Sequence, residues 1–445
     1  MKRILLTLLV GLFISNMAFA QNRPYDKTGL NVFETPKTDT VKYTGLKIKI
    51  GGAFTQSWQS LQDSHTPYMV GGVDQNKMVS LNPGFNTANA NLFWDVQLGD
   101  GMTLNLTQYL SARHHNETWV KGGYIQFTKL PFLHSAFFDN LMTYTTLKVG
   151  HMEINYGDAH FRRSDNGNSI YNPFIENNIM DEFTTEIGME VDVQHNGWLA
   201  VGGITNGEIK GDEVKATAYP GGSDGKHHPA FLGKIGFDKQ LAEKVRLRIT
   251  GSGYYTAGST SNTLFGGDRG GSHYFLVVES AAGYANSAIG ATGEAFSGRF
   301  NPGFSDKIGA LMGNIFLKAS GFEWFTTLET STGRAKSETS SRKANQFVSD
   351  VVYRFGNHEN FWIGARYNSV SATILNIPPV TTPATAATPY DVKLNRTAFS
   401  AGWFVTKNIM AKAEYVNQNY NDFQANDIRS GAKFHGVVIE AVVGF

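Results

Sequence analysis

Apolar and polar residues alternate with a period of two along most of this chain. Counting back from the carboxyl terminus, Phe445, Val443, Ala441, Ile439 and Val437 fall on one face, and Gly444, Val442, Glu440, Val438 and Gly436 on the other. That period sends successive side chains to opposite sides of a β-strand. Near the other end, Leu46, Ile48 and Ile50 alternate with Lys47 and Lys49 and predict a first strand at 46–50. The same pattern predicts strands near 92–98, 102–110, 117–128, 145–152, 187–193, 198–205, 231–237 and 245–249. It continues at 307–318, 322–331, 344–355, 361–370, 394–405, 409–419 and 434–445, which makes sixteen. Tight turns at Gly99-Asp100-Gly101, Asn196-Gly197 and Ser320-Gly321 join neighbouring runs, and Asn-Gly between alternating runs is a strong hairpin signal. With the last residue at one end, all the short turns but one gather at that end. The exception is the linker at 131–141, and the loop at His114 is unusually short for the opposite end.

A sheet of this kind has two homes, a soluble sandwich or a membrane barrel, and the asymmetry of short turns and long loops favours the barrel. No stretch after the amino terminus approaches the ~20 continuous apolar residues of a membrane helix. A sheet in lipid must close on itself, because an open edge would leave backbone groups unpaired. The expected fold is therefore all-β, a transmembrane antiparallel β-barrel of about 16 strands with short periplasmic turns and long external loops. Trp198, Trp324 and Trp403 lie within a few residues of short turns, where an interfacial aromatic girdle would place them. Lys2 and Arg3 precede an apolar run over 4–14 and then Ala18-Phe19-Ala20, so 1–20 reads as a signal peptide. Residues 21–45, with Pro24 and Pro36 and little periodicity, read as a mobile or periplasmic leader, and 46–445 as the barrel.

Composition adds exclusions. Only 41% of residues are hydrophobic although the chain holds 48 Gly, 31 Phe, 18 Tyr and 7 Trp, which suits strands apolar on one face only. Without cysteine there is no disulfide framework and no thiolate chemistry. A formal charge of +1, close to neutral once Lys2 and Arg3 are removed, argues against a nucleic-acid partner.

The terminal strand ending in Phe445 resembles the carboxyl-terminal signal of Gram-negative outer-membrane barrels. That resemblance implies the outer membrane, with its lipid and its barrel-assembly machinery as partners. A barrel of about sixteen strands leaves an aqueous channel, so strand number bears on function. The alternation points Lys47, Lys49, Lys148, Glu186, Glu190, Asp192, Lys234, Arg246, Arg248 and Arg366 inward as candidate pore-lining residues, along with Asp95, Lys412 and Glu414. Residues 155–183 break the alternation and form the third external loop. As a constriction loop folded into the pore they would bring Arg162, Arg163 and the acidic Asp158, Glu176, Asp181 and Glu182 against the wall cations, and facing charges set ion selectivity. Residues 257–306 read as a long external loop that carries its own hairpin. Its glycine cluster at 266–271 lacks the strand-then-helix context of a phosphate loop.

The run Leu147-Lys148-Val149-Gly150-His151-Met152, the strand at 185–193 and the strand at 434–445 look like the phosphate-selective porin O and P family. The resemblance implies a homotrimer of sixteen-stranded pores with a preference for anions or phosphate. The chain departs from that family at Ile154-Asn155-Tyr156-Gly157, where Pro-Phe-Gly is common, and in its inward acids Glu186, Glu190 and Asp192. The expected function is a passive aqueous channel for small hydrophilic solutes or ions. A receptor or adhesive barrel binding through 257–306 is the alternative, and an outer-membrane enzyme a further one. The G-x-S-x-G string Gly221-Gly222-Ser223-Asp224-Gly225 lies in a Gly-rich loop without the strand-to-helix turn of a nucleophile elbow, no H-E-x-x-H site occurs, and the adjacent pairs His114-His115 and His227-His228 would point to opposite faces. No catalytic residue, metal or cofactor is assigned.

Overall fold

The computed structural model describes residues 23–37, 43–86, 88–111, 118–286, 296–376 and 387–445. The expected signal peptide and the pair His114-His115 with its short loop lie outside them. Sixteen long strands make the wall: β1 Lys47–Ser64, β2 Asn89–Gly99, β3 Met102–Ser111, β4 Thr118–Phe127, β5 Thr145–Glu153, β6 Thr185–His195, β7 Trp198–Thr205 and β8 Ala230–Ala242. The wall continues with β9 Val245–Thr256, β10 Ile308–Ala319, β11 Phe322–Gly333, β12 Arg342–Phe355, β13 Phe361–Leu375, β14 Pro389–Phe404, β15 Ile409–Asn421 and β16 Lys433–Gly444. Each pairs antiparallel with its neighbours in sequence, and β1 meets β16 from Ala53↔Gly444 to Ser64↔Lys433, so the sheet has no free edge. Phe445 locks the seam, exchanging backbone hydrogen bonds of 2.9 Å with Gly52 in both directions.

β1 runs well past the five residues its alternation predicted. Gly51-Gly52 hides the continuation, since neither glycine has a side chain to alternate. Space explains both: a Cβ on Gly51 would lie 2.3 Å from the Tyr25 ring, and one on Gly52 would lie 2.7 Å from the ring of Phe445. The segment 257–306 also differs from expectation. Its described residues hold one short helix, α1 Ala281–Asn286, and no hairpin.

The wall is inverted relative to a soluble domain. Ile439 is 49% exposed beside a fully buried Glu440, and Ile187, Met189, Val191 and Val193 face out where Glu186, Glu190 and Asp192 face in. Large apolar groups outside and charged groups inside describe a wall standing in lipid. Trp198 and Trp403 face outward near the short turns. Trp403 begins a stacked aromatic row through Phe361, Phe355 and Tyr353 with centroid spacings of 5.9, 5.9 and 6.2 Å, at the level an interfacial girdle occupies.

Higher on the wall the pattern reverses. Along β13 the outward series runs Phe361, Ile363, Ala365, Tyr367 and then Ser369, Ser371, Thr373, while the inward series ends in buried Val370, Ala372 and Ile374. β14, β15 and β16 switch at matching register, with Asn395, Asn417 and His435 outward and Leu394, Val416 and Phe434 buried. A strand needs only ~9–11 residues to span the bilayer. Strands of 12–16 residues on this side therefore project above the lipid, where water lies outside the wall and packed loops lie inside.

The seam offers a test. Gly436 of β16 has φ 147°, and a Cβ there would lie 2.1 Å from the Ser60 carbonyl oxygen. Gly436→Val should weaken barrel closure by roughly 1–3 kcal/mol of strain. The measurement is the temperature at which the folded, fast-migrating form converts to the unfolded form on gels, expected to fall; an unchanged temperature would contradict the closure geometry.

Candidate pore and its lining

Residues 154–184, between β5 and β6, lie inside the barrel and are almost wholly buried. An irregular segment in that position needs partners for its backbone, because unpaired buried N–H and C=O groups cost several kcal/mol. Inward side chains of the wall supply them. Glu414 accepts from the Ile175 amide at 2.8 Å, Asn368 from Ile179 at 2.6 Å and Gln346 from Met180 at 2.9 Å. Arg366 donates to the Glu176 carbonyl at 2.7 Å, Arg396 to that of Asn177 at 2.7 Å, and Lys412 to that of Phe174 at 2.6 Å. Between these anchors Ile175, Ile179 and Met180 pack against Val370, Leu394, Val416 and Val438 of the upper wall. The side of the lumen against β12–β16 is therefore dry, where the alternation alone implied a wet interior throughout.

Two charged clusters tie the inner loop elsewhere. Toward the short-turn end, Asp158 meets Lys234 at 3.0 Å and Arg248 at 2.8 Å and accepts from Thr250 at 2.7 Å. Glu34 joins the same cations, 2.8 Å from Arg248 and 3.3 Å from Lys234. Burial alone would push both carboxyls up; Lys234 and Arg248 outweigh it and hold them well below the usual carboxylate range. Toward the long-loop end, Arg163 pairs with Asp181 at 2.5 Å and Asp165 at 3.0 Å, and Arg299 with Glu176 at 3.0 Å and Asp181 at 3.2 Å. Lys121 bridges Asp165 and, at 2.8 Å, Asp268 of the 257–306 segment. That segment also turns inward: His273 contacts Glu440 at 2.6 Å, and the Tyr274 hydroxyl donates to Glu414.

A cavity of about 280 Å³ lies between the inner loop, residues 23–37 and the wall strands β2–β6. Lys148, Glu190, Asp192, Tyr124 and Asn91 face it from the wall, and His160, Asp165 and Tyr171 from the loop.

Of the residues expected to line the pore, Lys148, Glu190, Asp192 and Arg163 border this cavity, while the others point into the barrel away from it. Lys148 lies 2.7 Å from Glu190 and 3.1 Å from Asp192. Glu186 accepts from the Tyr254 hydroxyl at 2.7 Å, Arg246 pairs with Asp238 at 2.7 Å and Arg366 with Asp350 at 2.7 Å. Arg162 donates to Asn31 at 2.9 Å and stacks 4.9 Å from the Phe325 ring centre. Lys47 and Lys49 stand near the short-turn mouth, Lys49 with its ammonium 5.5 Å from the Tyr25 ring centre.

Three groups escaped the sequence reading. Lys121 would face lipid by simple alternation, but Thr107 pairs with Gly122 and Gln108 with Val120, so Lys121 is the extra residue of a β-bulge that aims it inward. Arg354, Arg396, Glu323, Glu329, Asp350 and Glu440 sit on inward faces that alternation could have found. The third group is the segment 23–37. Expected as a mobile or periplasmic leader, it is packed into the short-turn half of the lumen, because its rings and charges find partners there.

No family model and no curated protein matches the sequence. Among solved structures, the anion-selective porin of Comamonas acidovorans is similar over 90% of this chain and 100% of its own, with TM-score 0.52 and 8% identity. The high-pH structure of OprB from Pseudomonas putida is similar over 90% and 94% respectively, with TM-score 0.50 and 8% identity. The fold is that of a transmembrane β-barrel. At that identity the likeness reaches the architecture and says nothing of selectivity.

Glu182 provides a pH test. It accepts from Gln346 and lies beside Glu329, which accepts from the Tyr156 hydroxyl at 2.9 Å. Burial first, and then the Glu329 carboxyl, raise the Glu182 pKa well above 4.5. A carboxyl that keeps its proton in the fold but ionises when unfolded lowers stability as pH rises through and beyond its ordinary value. The thermal midpoint in detergent should therefore fall from pH 5 to pH 8, and Glu182→Gln should flatten that slope and raise the midpoint at pH 8. An unchanged slope in the variant would refute a proton held on Glu182 in the fold.

Proposed function

We propose that this chain is a passive porin of the Gram-negative outer membrane, admitting small hydrophilic solutes and ions. The observation that carries the reading is the polar cavity beside β2–β6, enclosed by a closed sixteen-stranded wall with a lipid-type outer face. Residues 154–184 act as the constriction loop, and Lys148, Glu190, Asp192 and Asp165 line the cavity beside it. Pore-lining charge sets which ions pass. Here the wall cations at or beside the cavity have acidic partners: Lys148 faces Glu190 and Asp192, Lys121 bridges Asp165 and Asp268, and Lys234 and Arg248 share Glu34 and Asp158. A resident carboxylate competes with a passing anion for such a cation. The preference for anions or phosphate that the family resemblance brings is accordingly weak in this pore. Trimer formation and recognition of the terminal strand by the assembly machinery belong to the same reading. Within the described part of 257–306 most residues on either side of the exposed helix Ala281–Asn286 pack inward, which leaves the receptor alternative that helix as its surface.

Purified, refolded protein in planar bilayers should give discrete conductance steps, a reversal potential near zero in a KCl gradient, and little block by added phosphate. A heat-modifiable, folded preparation that never produces steps would overturn the porin reading, whereas strong block by phosphate would restore phosphate selectivity.

A further inference from the structure

We propose that the amino-terminal segment 23–37 is a built-in plug that sets the width and the charge balance of this pore, with Glu34 as its selectivity-determining residue. The inference rests on the porin reading. The segment enters at the short-turn end, where the Lys27 amide donates to the Lys407 carbonyl at 2.8 Å. Most of it is half-buried, and ring contacts and hydrogen bonds hold it. Tyr25 stacks on Phe93 at 3.9 Å, Arg23 lies 3.6 Å from the Tyr171 ring centre, and Phe33 sits edge-on to both Phe161 and Phe316 at 5.5 Å. Asn31 donates to Glu323 at 2.7 Å, and Lys37 to the Thr145 carbonyl at 2.9 Å. These contacts reach β2, β5, β10, β11 and the inner loop, so the segment crosses the barrel instead of lying along one strand.

The consequence for transport is geometric and electrostatic. Arg23, Tyr25 and the run 33–37 supply one side of the remaining cavity, so removing them merges that cavity with the volume they occupy. Glu34 is the segment's contribution to the cluster of Lys234, Arg248 and Asp158, all buried. Without its charge two cations face the single carboxylate of Asp158, with Asp238 3.1 Å from Arg248 at the rim. The local balance then turns positive beside the passage, which favours anions.

Bilayer recordings test this on the full mature chain, on a variant lacking 23–37 and on Glu34→Gln. The deletion should raise unit conductance about twofold or more, as a wider constriction requires. Glu34→Gln should move the reversal potential in a KCl gradient toward chloride preference. A fourth protein guards against a deletion that does not fold: because the chain has no cysteine, Thr35→Cys gives one reactive site, and a bulky thiol reagent should reduce conductance stepwise. Wild-type steps with an unchanged deletion, an unshifted Glu34→Gln or an insensitive Thr35→Cys would overturn the plug and leave the porin reading standing. Silence from every folded variant would overturn the porin reading itself.

Discussion

Backbone hydrogen bonding is the constraint on which the rest of this structure depends. In lipid no water can serve an unpaired strand edge, so β1 must find β16, and Phe445 completes the seam against Gly52. The same demand applies inside. A thirty-residue irregular segment can occupy the lumen only because Gln346, Arg366, Asn368, Arg396, Lys412 and Glu414 point inward at the height of its free amides and carbonyls. The wall is thus a membrane span on its outer face and a hydrogen-bonding scaffold on its inner one.

Charge follows from that arrangement. Ionised groups taken out of water are tolerated when each has a partner and its remaining donors are used, and breaking one such pair leaves an uncompensated charge. The clusters at Asp158 and at Asp181 meet that condition by joining three separate parts of the chain: the wall, the inner loop and either the amino-terminal segment or the 257–306 segment. Pairing that holds the interior together also neutralises the surface a solute would meet. Mechanical anchoring and weak ion preference are two results of one set of contacts.

The reversal of polarity along β12–β16 has a similar origin. Period two records which side a residue faces, but which side is apolar depends on the medium at that height. Within the bilayer the outside is hydrocarbon, and above it the outside is water while the inside is packed loop. Val370, Leu394 and Val416 are therefore as regular as Ile363, Phe399 and Tyr415, with the opposite sign.

Strand number, strand direction, closure and the inward direction of residues such as Lys148, Glu190, Lys234 and Arg248 were legible in the amino-acid order, because alternation and turn residues are local signals. The interior was not. Lys121 faces the lumen through a one-residue bulge that reads as ordinary strand, and Gly51-Gly52 conceals most of β1 because the rings filling their space come from residues distant in sequence, Tyr25 and Phe445. The docking of 23–37 and the burial of the loop around Tyr274 depend on partners more than a hundred residues away, such as Arg248 for Glu34 and Glu414 for Tyr274. Local pattern decides what makes a strand. Only the closed barrel decides what fills it, since the filling is chosen by contacts between segments that the chain order keeps apart.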